Sequence, residues 1–201
     1  MSETSVIVHW LTHEHGRIAT IAKGARRPKS PFLGRLDLFY AAEFGFSRNP
    51  RSDLHILTEV QLKDVRAALR LDFNRISLAS YFVHLIELAT ETETPIPEVA
   101  GLFDGALLCL QGTAFPATAQ FGYEIQLMHL LGVLPPAEVA GLTLGTRRIW
   151  ERFVERPLSD CAGLRLAAAQ IWELHGKLGG LIDDQFGRVP KGRPDRGEFK
   201  K

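Results

Sequence analysis

The chain has little of several things, and each shortage excludes a class of protein. It has two cysteines in 201 residues, Cys109 and Cys161. They lie too far apart for a CxxC half-site and are too few for a disulfide framework, so a reducing, cytoplasmic setting is the simplest expectation. No stretch approaches the ~20 apolar residues that a membrane span requires. The opening MSETSVIVHW carries no basic leader before its short apolar run, which argues against a signal peptide. There is no Walker A string, no G-x-S-x-G, no H-E-x-x-H and no G-x-G-x-x-G. No serine stands in a nucleophile context. Apolar residues at 45% and charged residues at 23% describe an ordinary globular chain, one large domain or two small ones.

A net charge of +1 conceals three different regions. Residues 1–70 hold 11 Lys/Arg against 7 Asp/Glu, a net +4. Residues 71–184 hold 7 against 14, a net −7, and residues 185–201 hold 6 against 2, a net +4. A basic first third, an acidic middle and a basic end point to separate tasks.

The periodicity changes along the chain as well. Alternating residues predict strands over Ser5–Thr12, Arg17–Lys23, Leu36–Phe44 and Leu54–Val60, with a hairpin loop at His13–Gly16 and a turn-rich loop at Ser47–Asp53. After residue 61 the spacing becomes helical. It predicts helices over Asp72–Thr92, Glu98–Leu110, Ala117–Leu131, Thr146–Glu155 and Asp160–Leu178. The first is apolar nearly all round and is expected to be a central helix. The segment from Gly187 is rich in Gly, Pro and charge, has little to bury, and is expected to be mobile. The expected fold class is therefore α+β, a small β-barrel followed by an all-α domain. Its parts are residues 1–65, residues 66–186, and a basic tail over 187–201.

Chemistry-bearing clusters are few. Between residues 17 and 35 stand six cations, Arg17, Lys23, Arg26, Arg27, Lys29 and Arg35, and no acid. Gly24 and Pro28 mark a loop leaving a strand, and side chains fanning from a strand end suit an extended anion. Arginine forks onto phosphate and lysine serves as a mobile point charge. This is the footprint of a nucleic-acid binder, though a solvated loop gives the same string. Phe32 beside the loop is a candidate for base stacking, whereas Tyr40 and Phe44 read as barrel core. His9, His13 and His15 lack the further ligands a zinc site needs. His84, His129 and His175 read as packed imidazoles in apolar helices. Asp183-Asp184 and the Glu91/Glu93 pair do not make the convergent carboxylates of a metal-dependent nuclease. No metal, cofactor or catalytic residue is expected.

Three stretches carry a family resemblance. HEHGRIATIAKGARRPKS (residues 13–30) resembles the hairpin and basic loop of the bacterial RecO recombination-mediator family. ASYFVHLIELATETETPIPEVAGLF (79–103) and FGYEIQLMHLLGVLP (121–135) are similar in order and spacing to two of its helices. The resemblance implies an N-terminal OB-fold followed by a helical domain. It implies a non-enzymatic DNA repair and recombination mediator, cytoplasmic and nucleoid-associated. Such a protein binds single- and double-stranded DNA, anneals complementary strands, and with RecR assists RecA loading onto strands coated by single-stranded-DNA-binding protein, whose acidic C-terminal tail it also binds. Lys23, Arg26, Arg27 and Lys29 match the family's DNA-contacting loop; Arg17 and Arg35 are added on charge alone. Arg147, Arg148 and Arg152 are candidates for meeting the acidic tail by charge only.

Two departures stand out. Many members carry a four-cysteine zinc module after the third stretch, and here only Cys161 remains in that region, so no zinc is expected. Members also begin with one more strand before the segment matching SETSVIV. Either the barrel lacks its first strand or the start is internal to the gene. A different reading of the same loop is an adaptor that meets an acidic protein partner, and a metal-dependent nuclease is a further rival.

Overall fold

The computed structural model describes residues 3–112, 114 and 116–195. They form two compact units. The first runs up to Ala67 and also takes in Glu91–Pro97; the second comprises Ala68–Thr90 and the chain from Glu98 onward. The class is α+β, with a β unit followed by helices.

The first unit is built on four strands, β1 (Val6–Thr12), β2 (Gly16–Ala22), β3 (Ala41–Ser47) and β4 (Leu54–Asp64). Their order is β1-β2-β4-β3, with β2 and β4 parallel and the other neighbours antiparallel. This is the neighbour order of an OB barrel without its first strand; among the described residues four strands make the sheet. The sheet curls strongly. Trp10 and Phe44 sit on the two edge strands, yet their rings stack with centroids 4.0 Å apart. Ala22, Ala25, Phe32, Leu57 and Val60 fill the interior beneath them.

The hairpin joining β1 to β2 follows from its residues. The Thr12 hydroxyl accepts from the His15 amide at 2.9 Å and donates to the Gly16 carbonyl at 3.0 Å. Gly16 adopts φ +65°, and a Cβ there would lie 2.1 Å from the Thr94 carbonyl oxygen. Only glycine lets residues 91–97 return so close to β2. That return is fixed by the Glu93 amide donating to the Arg17 carbonyl at 2.9 Å and by the Arg48–Glu93 ion pair at 3.0 Å. Buried His55 reinforces it. Its Nδ1 accepts from the Asn49 amide at 3.3 Å, which places the proton of the neutral ring on Nε2. Nε2 lies 3.0 Å from Glu93 Oε1, at ion-pair distance but off the line of a good hydrogen bond.

The predicted strand over Leu36–Phe44 is displaced. Residues 36–40 form a turn and β3 begins at Ala41. The Asp37 carboxylate accepts from the Leu38 amide at 2.7 Å, and Phe39 takes φ +62°, which ends any alternation there.

The second unit contains helices α1 (Phe73–Ala89), α2 (Pro97–Gly112), α3 (Pro116–Leu130), α4 (Leu144–Glu155), α5 (Leu158–Cys161) and α6 (Ala168–Phe186). The Asp72 side chain accepts from the Asn74 amide and starts α1. The most enclosed helix is α3, not α1; every residue from Ala117 to Ile125 is buried. Its Tyr123 stacks on Phe82 of α1 at 4.0 Å. Gly122 keeps one face bare, because a Cβ there would come within 2.5 Å of Leu158 and 2.9 Å of Phe153. The single helix predicted over Asp160–Leu178 is two helices instead. The turn Ala162–Ala167 interrupts it, held by the Thr118 hydroxyl on the Leu164 carbonyl. The later helix passes through Gly179-Gly180 and stops at Gly187, whose φ of +72° caps it.

The segment from Gly187 also departs from expectation as far as Asp195. Arg193 is buried, with 6% of its side chain exposed, against fully buried Glu124. The remainder of the basic tail, residues 196–201, lies outside the described residues.

Candidate nucleic-acid interface

The basic loop leaves β2 as a chain of tight turns. Arg27 N donates to Gly24 O at 3.0 Å, Ser30 N to Arg27 O at 3.0 Å, Leu33 N to Ser30 O at 3.2 Å and Arg35 N to Phe32 O at 3.0 Å. Ala25 and Phe32, each 7% exposed, anchor it in the barrel interior. Pinning a loop by apolar residues forces their polar neighbours outward. Lys23, Arg26, Arg27 and Lys29 are all exposed. Among the described residues no carboxylate pairs with any of these four. Arg26 donates through Nη1 to the Glu3 carbonyl at 3.4 Å. Gly24 has φ +68°, and the Arg27 side chain lies across it with Cδ 3.3 Å from the position of an added Cβ.

The other two cations of the sequence reading are placed differently. Arg17 stands near the start of β2, six residues before Lys23, roughly 20 Å along an extended strand. Its main chain bridges to Thr92, and its carbonyl accepts from the Glu93 amide. Arg35 is exposed, but its Nη1 donates to the Val60 carbonyl at 3.1 Å, tying the loop to β4. Phe32 is core rather than a stacking platform; the apolar interior claims it before a base could. The Ser30 hydroxyl accepts from the Phe32 amide at 3.2 Å, closing the turn.

Arg66, two residues past β4, has a structural part instead: it donates to the Phe39 carbonyl at 3.1 Å. The Asp64 carboxylate accepts from the Arg66 amide at 2.8 Å and turns the chain there.

Cys109 and Cys161 are free and buried, and burial pushes the Cys109 thiol up to about 11. Two buried thiols do not fit a four-thiolate zinc module. Among the described residues no group of three or more His, Cys, Asp or Glu stands together to hold a metal ion. His84 and His129 are exposed rather than packed. The cations Arg148, Arg152 and Arg156 line an open pocket of about 430 Å³ together with Glu151, Glu155 and Asp160. Its charge is mixed, so it favours neither sign. Among the described residues no helix is long and apolar enough to cross a membrane.

A curled mixed sheet bearing an exposed cationic loop, together with a helical unit, defines a protein of the β-plus-helical class. Comparison with known proteins gives the family. Residues 1–66 match the model of the recombination protein O N terminus and residues 70–140 that of its C terminus. The chain is 31% identical over 137 residues to the DNA repair protein RecO of Rhodopirellula baltica, covering 68% of this chain and 51% of that protein. It is 36% identical over 135 residues to the RecO of Idiomarina loihiensis, covering 64% and 54%. The RecO of Actinobacillus pleuropneumoniae serotype 7 is 37% identical over 139 residues, covering 65% and 53%. The chain belongs to the RecO family. It spans about half the length of the curated relatives it matches.

Proposed function

We propose that this chain is a non-catalytic DNA repair and recombination mediator that captures DNA strands by charge through its basic loop. The observation that supports this most is the group Lys23, Arg26, Arg27 and Lys29, exposed together and without carboxylate partners among the described residues. Cations left unpaired in their own fold are available to phosphates, and binding them releases condensed counterions. Backbone contacts of this kind fix a strand without reading its sequence. Single and double strands therefore both qualify as ligands. Two strands neutralised at one surface repel each other less, which favours annealing of complementary sequences. Family membership supports the same reading, including partnership with RecR, binding of the acidic tail of single-stranded-DNA-binding protein, and assistance to RecA loading.

The test is the salt dependence of binding to a labelled single-stranded oligonucleotide. Each neutralised phosphate lowers log K by about 0.7 per decade of salt, so four contacts give a slope near −3. A slope of that size supports strand capture. Absence of binding at low salt overturns it and favours the adaptor that meets an acidic protein.

A further inference from the structure

A carboxylate with no exposed surface lies in the middle of α3. Glu124 is 0% exposed, and a buried charge of this kind costs several kcal/mol unless it is matched. It is matched by four hydrogen bonds. Tyr81 Oη donates to Oε1 at 2.7 Å and Gln120 Nε2 donates to Oε1 at 2.9 Å. Arg193 supplies the other two, Nε to Oε1 and Nη2 to Oε2, both at 2.9 Å. The two-pronged contact is the strong geometry for guanidinium and carboxylate.

The neutralising cation does not come from a helix. It comes from the irregular segment after α6. The surroundings are shaped to that side chain. Arg193 Nη1 donates to the His175 carbonyl at 3.0 Å. Gly179 leaves the channel open, since a Cβ there would lie 2.8 Å from Nη1. Two imidazoles hold the backbone on either side, His84 Nδ1 at 3.2 Å from the Lys191 carbonyl and His175 Nε2 at 3.1 Å from the Pro194 carbonyl. A carboxylate, a phenol, a carbonyl and a missing side chain thus converge on one guanidinium, while the peptide carrying it is held through its main chain. That is how a peptide ligand is bound.

We propose that Glu124, Tyr81 and Gln120, with the channel at Gly179, form an arginine-specific peptide site in the helical unit, and that residues 187–195 occupy it as a ligand carried in the same chain. The segment is then a latch, released by local opening and replaceable by a peptide of the same chemistry, an arginine within an irregular, proline-flanked stretch. This is independent of the DNA reading, since it concerns the helical unit alone.

The experiment uses a chain ending at Phe186 and the synthetic peptide GRVPKGRPD (residues 187–195). Titration calorimetry is expected to show saturable binding to the shortened chain, at least tenfold weaker binding of the same peptide with Arg193→Lys, and at least tenfold weaker apparent binding to the full chain, whose site is filled. No binding to a folded shortened chain, equal binding of the lysine peptide, or equal binding to the full chain overturns the proposal. If the shortened chain does not fold, the full-length Arg193→Lys variant decides. Trypsin cleavage after Arg188 and Lys191 should accelerate at least tenfold while helical circular dichroism is unchanged. Unaltered cleavage overturns the proposal as well.

Discussion

Replacing Gly16 by alanine should cost far more than its one methyl group suggests. Two terms contribute. The first is conformational: φ of +65° in an L residue costs roughly 1–2 kcal/mol. The second is contact. The new Cβ would lie 2.1 Å from the Thr94 carbonyl oxygen and 2.6 Å from its carbon, both backbone atoms. Residues 91–97 must therefore move away from β2. Moving them breaks the Glu93 amide bond to the Arg17 carbonyl, worth about 1 kcal/mol, and leaves His55 buried without Glu93, worth about 1–3 kcal/mol more. The sum is about 3–6 kcal/mol. Gly34 supplies a matched control: its φ is +71°, but nothing lies within 4 Å of an added Cβ. Gly34→Ala should pay only the conformational term. Native-state hydrogen exchange of the β2 and β4 amides reads the difference between the two variants. A gap of about 2–4 kcal/mol corresponds to exchange roughly 30–800-fold faster in Gly16→Ala than in Gly34→Ala. Equal protection in the two variants would refute the claim that residues 91–97 are held against β2 by the bare face of Gly16.

Two further outcomes follow from the helical unit. Arg193→Ala should destabilise it by about 3–5 kcal/mol, because Glu124 is left as an uncompensated buried charge. Adding Glu124→Gln should recover part of that loss in urea unfolding followed by circular dichroism; strictly additive effects would deny the coupling. The thiols give a pH signature. Burial raises Cys109 to about 11 from 9.0 and raises Cys161 as well, so the fold favours the neutral thiols. The unfolded chain loses these protons first, and stability should fall as pH rises from about 9 toward 11. Unfolding midpoints across that range should decline, and Cys109→Ala should flatten the decline.

Much of the architecture was written in local pattern. Alternation in Val6–Thr12 and Leu54–Val60 marks real strands because one face of each meets the barrel interior. Asp72 marks the start of α1 because its carboxylate caps the first turn. The failures share a cause, which is long-range partnership. Alternation over Leu36–Tyr40 is overridden by the Asp37 turn. Phe32 looked like a surface aromatic because nothing in the loop shows that it reaches Leu57 and Val60 inside the barrel. The helix expected to end at Leu178 continues as α6 through Gly179-Gly180, and Gly179 leaves room for Arg193, fourteen residues ahead. That arginine looked like part of a solvated tail because its partner, Glu124, lies 69 positions away. At the basic loop, residue type marks six cations and the family resemblance four of them, Lys23, Arg26, Arg27 and Lys29, which the structure leaves exposed on one loop. Arg17 stands apart in the chain because the length of β2 separates it from them.

The reading of this chain as a strand-capturing mediator meets its most direct test in Arg26→Glu with Arg27→Glu. Both side chains are exposed and their loop is held by Ala25 and Phe32, so the fold should survive the change. Affinity for a single-stranded oligonucleotide at low salt, measured by fluorescence anisotropy, should drop at least tenfold, and annealing of complementary strands should slow with it. Undiminished affinity in a correctly folded double variant would contradict the assignment of the loop as the DNA-gripping surface.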